Sequence, residues 1–242
     1  MRITSYAFLH QLLMVPLFLV IEVIAVNAET TFLVNFNRVE QTGPARFVPD
    51  HVIGGTPTIK MISTASEEIM DLPVGRMPTV DTVIRVHAGA ASLDLRGGRD
   101  GLYYTNLAAG NINRAEGTAE GFFRTPYSLA KNVEPRALFS AWVSLASGAR
   151  WFWQVEAGSN NRLTARFGDS SSGAGSVVVE SLLFSEADWT VDTWHHVALT
   201  WKSDGAFQIF VDGRLVGRVT GGSFPVTLAA EEPLGNRIYV GM

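Results

Sequence analysis

Residues 194–220, WHHVALTWKSDGAFQIFVDGRLVGRVT, decide the fold. Two Asp-Gly pairs, Asp204-Gly205 and Asp212-Gly213, cut the stretch into three short segments. Asp-Gly between alternating apolar residues predicts a two-residue hairpin turn, because both central positions of that turn need positive φ. In the first segment Val197, Leu199 and Trp201 share one face at period two, and in the second Phe207, Ile209 and Val211 do the same. The third alternates less cleanly, with Leu215 and Val216 adjacent and Arg214 and Arg218 pointing outward. The pattern predicts a three-stranded antiparallel meander with one apolar face. Such a face has to be covered by a second layer.

The rest of the chain has the composition to supply that layer. Among 242 residues, 47% are hydrophobic and 17% charged, which is globular and not disordered. Ten prolines and 23 glycines spread along the chain suit many short strands joined by turns. A net charge of -4 lacks the basic stripe that nucleic acid requires, so no nucleic-acid partner is expected. With no cysteine there is no disulfide framework and no thiolate zinc site. A chain of this length builds a sufficient core without either.

The N-terminus reads as a targeting segment. Arg2 is the only Lys, Arg, Asp or Glu before an apolar run over residues 6–21, which leads to the small-residue pattern Val26-Asn27-Ala28. This predicts a signal peptide over residues 1–28 and a single domain over 29–242. The competing reading is an uncleaved anchor. Glu22 interrupts the run, and a bilayer span needs about 20 apolar residues. The expected location is secreted or cell envelope, with no membrane span after cleavage.

Moving outward from the meander, strands are predicted at residues 32–36, 46–48, 58–62, 82–87 and 91–95, then 137–145, 150–156, 162–167 and 177–184. Residues 66–71 (SEEIMD) read as one helical turn stopped by Pro73, and 168–176 as a flexible loop. Short strands at regular spacing, punctuated by turn residues, predict a sandwich or jelly roll.

Several stretches carry a resemblance. Tyr103-Tyr104, Gly110-Asn111-Ile112, Glu116-Gly117-Thr118-Ala119-Glu120 and Arg124-Thr125-Pro126 resemble the early strands of laminin-G-like jelly rolls, in bacterial forms. These belong to the concanavalin A-like lectin/glucanase superfamily. Residues 192–198 (DTWHHVA), 210–213 (FVDG) and 238–241 (IYVG) are similar to that family's central and closing strands. The resemblance implies an all-β, two-sheet antiparallel jelly-roll sandwich. Two departures accompany it. Gly121 stands where the family has a bulky residue, which predicts a bulge or a weakened strand. The chain stops at Met242, where the family has one more strand, so a sandwich lacking its last strand at the C-terminus is expected, with an open edge.

The resemblance also frames the chemistry. Glucanases of the superfamily place Glu-x-Asp-x-(x)-Glu along one strand, so that two carboxylates reach the scissile bond as nucleophile and acid/base. Glu186-Ala187-Asp188 comes nearest but lacks the last glutamate, so no catalytic residue is assigned and a non-catalytic domain is expected. His195 and His196 are strand neighbours facing opposite ways, which prevents them from chelating one ion; one should pack inside and one sit at the strand edge. No metal site is assigned. The family implies calcium (Ca2+) as the one cofactor, held by loop oxygens such as those of Asp94, Asp100 and Asp169, without being required.

Binding is read from the aromatics. Trp151 and Trp153 share one face of their strand, with Phe152 on the other. If exposed, this indole pair, flanked by Arg150 and Gln154, would stack on sugar rings and donate its N–H groups. The alternative is that both indoles fill the core. Trp142, Trp189, Trp194 and Trp201 are expected in the core or at strand ends. The ligand-binding set is therefore Trp151, Trp153, Arg150 and Gln154. The expected partner is a polysaccharide or cell-surface glycan. The alternatives are adhesion to a protein partner or a structural accessory role in a larger secreted protein.

Overall fold

The computed structural model describes residues 32–33, 51–52, 55–63, 68–71, 79–81, 92–94, 100–107, 111–113, 115–125, 136–146, 150–158, 161–169, 177–182, 184, 189–202, 206–220 and 233–241. Strands dominate them, and no α-helix occurs among the described residues. In chain order the strands are β1 Phe32–Leu33, β2 His51–Val52, β3 Gly55–Ser63, β4 Glu68–Asp71, β5 Thr79–Asp81, β6 Ser92–Asp94, β7 Asp100–Leu107 and β8 Glu116–Arg124. They continue with β9 Arg136–Leu145, β10 Arg150–Ala157, β11 Leu163–Asp169, β12 Val177–Glu180, β13 Trp194–Lys202, β14 Ala206–Val211, β15 Arg214–Thr220 and β16 Pro233–Val240. An eight-stranded sheet runs β12-β11-β10-β9-β16-β7-β3-β4, and a four-stranded sheet runs β15-β14-β13-β8. Two small ribbons, β1-β2 and β5-β6, complete the set. The two large antiparallel sheets make the jelly-roll sandwich.

The meander forms as its turn chemistry dictates. Asp212 has φ 51° and Gly213 φ 76°, the positive pair that a tight hairpin turn needs. The Asp212 carboxylate then ties the turn to the neighbouring strand. Oδ1 accepts from the His196 N–H at 2.8 Å, and Oδ2 lies 2.8 Å from His195 Nδ1. The Asp204-Gly205 turn lies outside the described residues. Asp212→Ala removes both contacts and places a Cβ without polar compensation at positive φ. We expect it to cost about 1–3 kcal/mol of unfolding free energy in urea denaturation, with Asp212→Asn costing less than half as much.

The core lies between the large sheets and is aromatic. From the eight-stranded sheet come Trp151, Trp153, Phe139 and Phe167, and from the four-stranded sheet Trp201, Phe207 and Leu199. Trp201 meets Trp153 at 5.6 Å and Trp151 at 6.3 Å between ring centroids, and Phe167 meets Phe207 at 5.3 Å. Gly117 lies opposite Trp201 in the β8–β13 register, and a Cβ there would strike the indole. The missing side chain makes room for the ring.

Three expectations meet a different outcome. Residues 68–71 form strand β4 instead of a helical turn, because Ile69 and Met70 pair with Ile62 and Met61 of β3, a ladder that local propensity does not foresee. Gly121 causes no bulge: it pairs with Val197 in unbroken register, and the space its Cβ would fill is taken by the Phe123 ring. The C-terminal strand β16 is hydrogen-bonded to β9 on one side and β7 on the other, and the outer strands of its sheet are β12 and β4. The predicted strand at 58–62 lies within β3, and that at 91–95 covers β6. The signal segment 1–28 and the strands expected at 46–48 and 82–87 lie outside the described residues.

Candidate functional site

Strand β10 decides where a ligand would meet the eight-stranded sheet. Trp151 is 2% exposed and Trp153 4%, both inside the sandwich. The expectation that they form a sugar platform is therefore overturned. The opposing sheet brings Trp201 against both, and alternation then fixes the rest of the strand. Phe152, Gln154 and Glu156 must face away from the core. Of the other two assigned residues, Gln154 is half-buried on this outward face, and Arg150 lies at the start of β10 with its side chain outside the described residues.

The register of the neighbouring strands assembles two rows on the outward face. One row sets Phe152 of β10 beside Trp142 of β9 and Arg237 of β16. The other sets Arg166 of β11, Gln154, Ser140 of β9, Tyr239 of β16 and Tyr103 of β7 in succession. Trp142 and Phe152 stack with centroids 4.9 Å apart and planes 21° from parallel. Both are half-buried, so each pair member keeps part of its ring accessible. Trp142, expected in the core or at a strand end, thus stands on the outer face.

Polar groups converge beside this pair. Gln154 Nε2 donates to Glu156 Oε1, and Arg166 Nε lies 3.6 Å from Glu156 Oε2. Tyr103 and Tyr239 stack at 4.6 Å. Burial pushes the Tyr239 hydroxyl up to about 12, Tyr103 beside it adds to the rise, and Arg237 opposes it. The phenol is consequently neutral at physiological pH and both donates and accepts hydrogen bonds. Between Gln154 and Tyr239 the Ser140 hydroxyl is fully shielded and has no hydrogen-bond partner. An aromatic surface edged by guanidinium, amide, carboxylate and hydroxyl groups suits a ligand that is apolar on one side and hydroxylated on the other.

The remaining candidates sit elsewhere. His195 packs inside, stacked on Trp189 at 4.4 Å, while His196 faces outward with Nε2 3.3 Å from Glu120 Oε2, so the pair divides between faces as alternation requires. Trp189 is also fixed by its Nε1 donating to Thr125 Oγ1 at 2.9 Å. Among the described residues no three His, Cys, Asp or Glu side chains converge on a metal-sized point. Asp94, Asp100 and Asp169 belong to β6, β7 and β11, with their side chains outside the described residues. Glu186-Ala187-Asp188 lies outside them altogether. The outward pair Trp142–Phe152 is the feature that sequence reasoning missed. Its signal was the WFW run itself, which has aromatics in both phases.

Comparison with known proteins places this geometry. A laminin G family model, described as the concanavalin A-like lectin/glucanases superfamily, matches residues 104–238. The binding domain of botulinum neurotoxin DC in complex with SialylT is similar in structure, with TM-score 0.52 and 8% identity over 89% of this chain and 44% of that one. The botulinum neurotoxin serotype C1 binding domain is also similar, with TM-score 0.54 and 10% identity over 89% of this chain and 43% of that one. The chain thus spans less than half the length of these structures. A search of curated proteins finds no match.

Proposed function

This chain belongs to the concanavalin A-like lectin/glucanases superfamily, and from that premise we propose that it is a non-catalytic recognition module binding polysaccharide or glycan outside the cytoplasm, secreted or held at the cell envelope. The observation that carries the reading is the stacked Trp142–Phe152 pair on the outward face of the eight-stranded sheet, with Arg237 and Gln154 beside it. A pyranose ring presents apolar C–H groups on one face and hydroxyls at its edge. The indole covers the first while Arg237, Gln154 and the neutral Tyr239 hydroxyl meet the second. The similar structures are binding domains, and one was solved with SialylT, which supports recognition as the use of this fold.

A glycan array tests the proposal. Trp142→Ala and Phe152→Ala should each weaken binding to the recognised glycan by about tenfold or more while the protein stays folded. Binding should be equal in calcium and in chelator, because the face described here is built without a metal. Glycan binding that survives both substitutions unchanged would remove the face from consideration.

A further inference from the structure

On the opposite side of the sandwich, the four-stranded sheet presents a face that the glycan reading does not use. Alternation along β8 turns Glu116, Thr118, Glu120 and Phe122 outward. Phe122 is 52% exposed and Leu215 of β15 42%. The register lines up Glu120, Ala198, Phe210 and Leu215 across the four strands, and beside them Thr118, Thr200, Gln208 and Arg218. Acid therefore sits on one outer strand and arginine on the other. Glu120 keeps 61% of its side chain exposed, and no carboxylate pairs with the exposed Arg218 among the described residues. Between them lie a small residue and a large one, Ala198 shielded at the bottom of a depression and Phe210 standing half-exposed next to it.

We propose that this face closes on the same face of a second copy of the chain, about a two-fold axis running along the strands between β13 and β14. That operation exchanges the outer strands, laying the β8 of one copy over the β15 of the other. Glu120 of each copy then meets Arg218 of the other. It also exchanges the inner strands, so that each Phe210 enters the depression over the other copy's Ala198. Charge and shape are thus both self-complementary, as an isologous contact requires. Four strands about 4.8 Å apart and about six residues long give a face of roughly 400 Å² per copy, half of a standard stable interface. The dimer exchanges with monomer at micromolar concentration. It leaves the two Trp142–Phe152 faces pointing away from each other, an arrangement that gains avidity on a polymeric ligand.

Sedimentation velocity of the purified protein, from low to high micromolar concentration, provides the test. The wild type should pass from monomer to dimer and dissociate as salt is raised. Glu120→Arg and Arg218→Glu should each weaken association by about tenfold or more, and the double variant should return to within about threefold of wild type. Ala198→Gln, which fills the depression without altering charge, should weaken it as well. Both charge positions are exposed, so unchanged melting temperatures are expected alongside. A monomer at every concentration, a dimer indifferent to the charge reversals, or a double variant that stays dissociated would each overturn the proposal. Association with a different protein in place of self-association would do so too.

Discussion

Trp151→Ala is expected to lower the unfolding free energy by about 3–5 kcal/mol, the usual cost of deleting a buried aromatic ring. The ring is 2% exposed and packs edge-on against Phe167 at 4.8 Å and against Trp201 from the facing sheet. Its removal leaves a cavity between two backbone layers whose ladders hold them apart, so collapse recovers little of the loss. Urea denaturation should show a lower midpoint with an unchanged slope. Trp142→Ala, on the half-buried outward face, should cost only about 1 kcal/mol. The two substitutions therefore separate stability from binding: the first unfolds the protein without touching the ligand face, and the second does the reverse. A Trp151→Ala protein within 1 kcal/mol of wild type would return that indole to the surface and revive the platform first read from the sequence.

The reason that platform was read on the wrong face is physical. Strand β10 is aromatic in both phases, Trp151 and Trp153 in one and Phe152 in the other, so period two locates the strand without saying which side is core. The phase is set by the other sheet, where Trp201 and Phe207 reach the odd-numbered positions. An indole N–H also favours a wet or paired site, and Trp153 Nε1 has no hydrogen-bond partner in the core. The magnitudes explain why burial wins. An orphaned donor costs about 1–3 kcal/mol, while about 200 Å² of buried ring stabilises by about 5 kcal/mol.

What was legible is what depends on neighbours in sequence. The Asp212-Gly213 turn and the alternation of β13 and β14 follow from local sterics and pleat, and both are present as read. The split of His195 and His196 between faces follows from the same pleat. Strand β4 was illegible because its pairing with β3 is a tertiary choice over a helix-compatible sequence. The central place of β16 was illegible for a stronger reason: its partners β9 and β7 are about a hundred residues or more away in sequence, and no periodicity encodes that distance. The ligand face depends on β9, β10, β11 and β16 together, so it could not be read from any one of them.

That central place gives Gly101→Ala its expected effect, a loss of about 3 kcal/mol or more. Leu102 pairs with Val240, so Gly101 lies across from the point where the chain leaves β16. There Gly241 adopts φ 68°, and its N–H donates to the Leu138 carbonyl at 2.9 Å, which holds the exit in place. A Cβ on residue 101 would overlap the Gly241 carbonyl oxygen and approach the Val240 oxygen to 3.0 Å. These are backbone atoms and cannot rotate aside as the end of a side chain can. Relief requires β16 to draw away from β7, and because β16 is shared with β9 the strain reaches two ladders. Gly213→Ala is the matched comparison. Nothing lies within 4 Å of its added Cβ, so only the cost of positive φ remains, about 1–2 kcal/mol. Unfolding curves of the two variants should differ clearly, with Gly101→Ala the weaker. Equal stability would mean that the exit of β16 is free to move, and that the strand is less firmly seated at the centre of the sheet than its two ladders indicate.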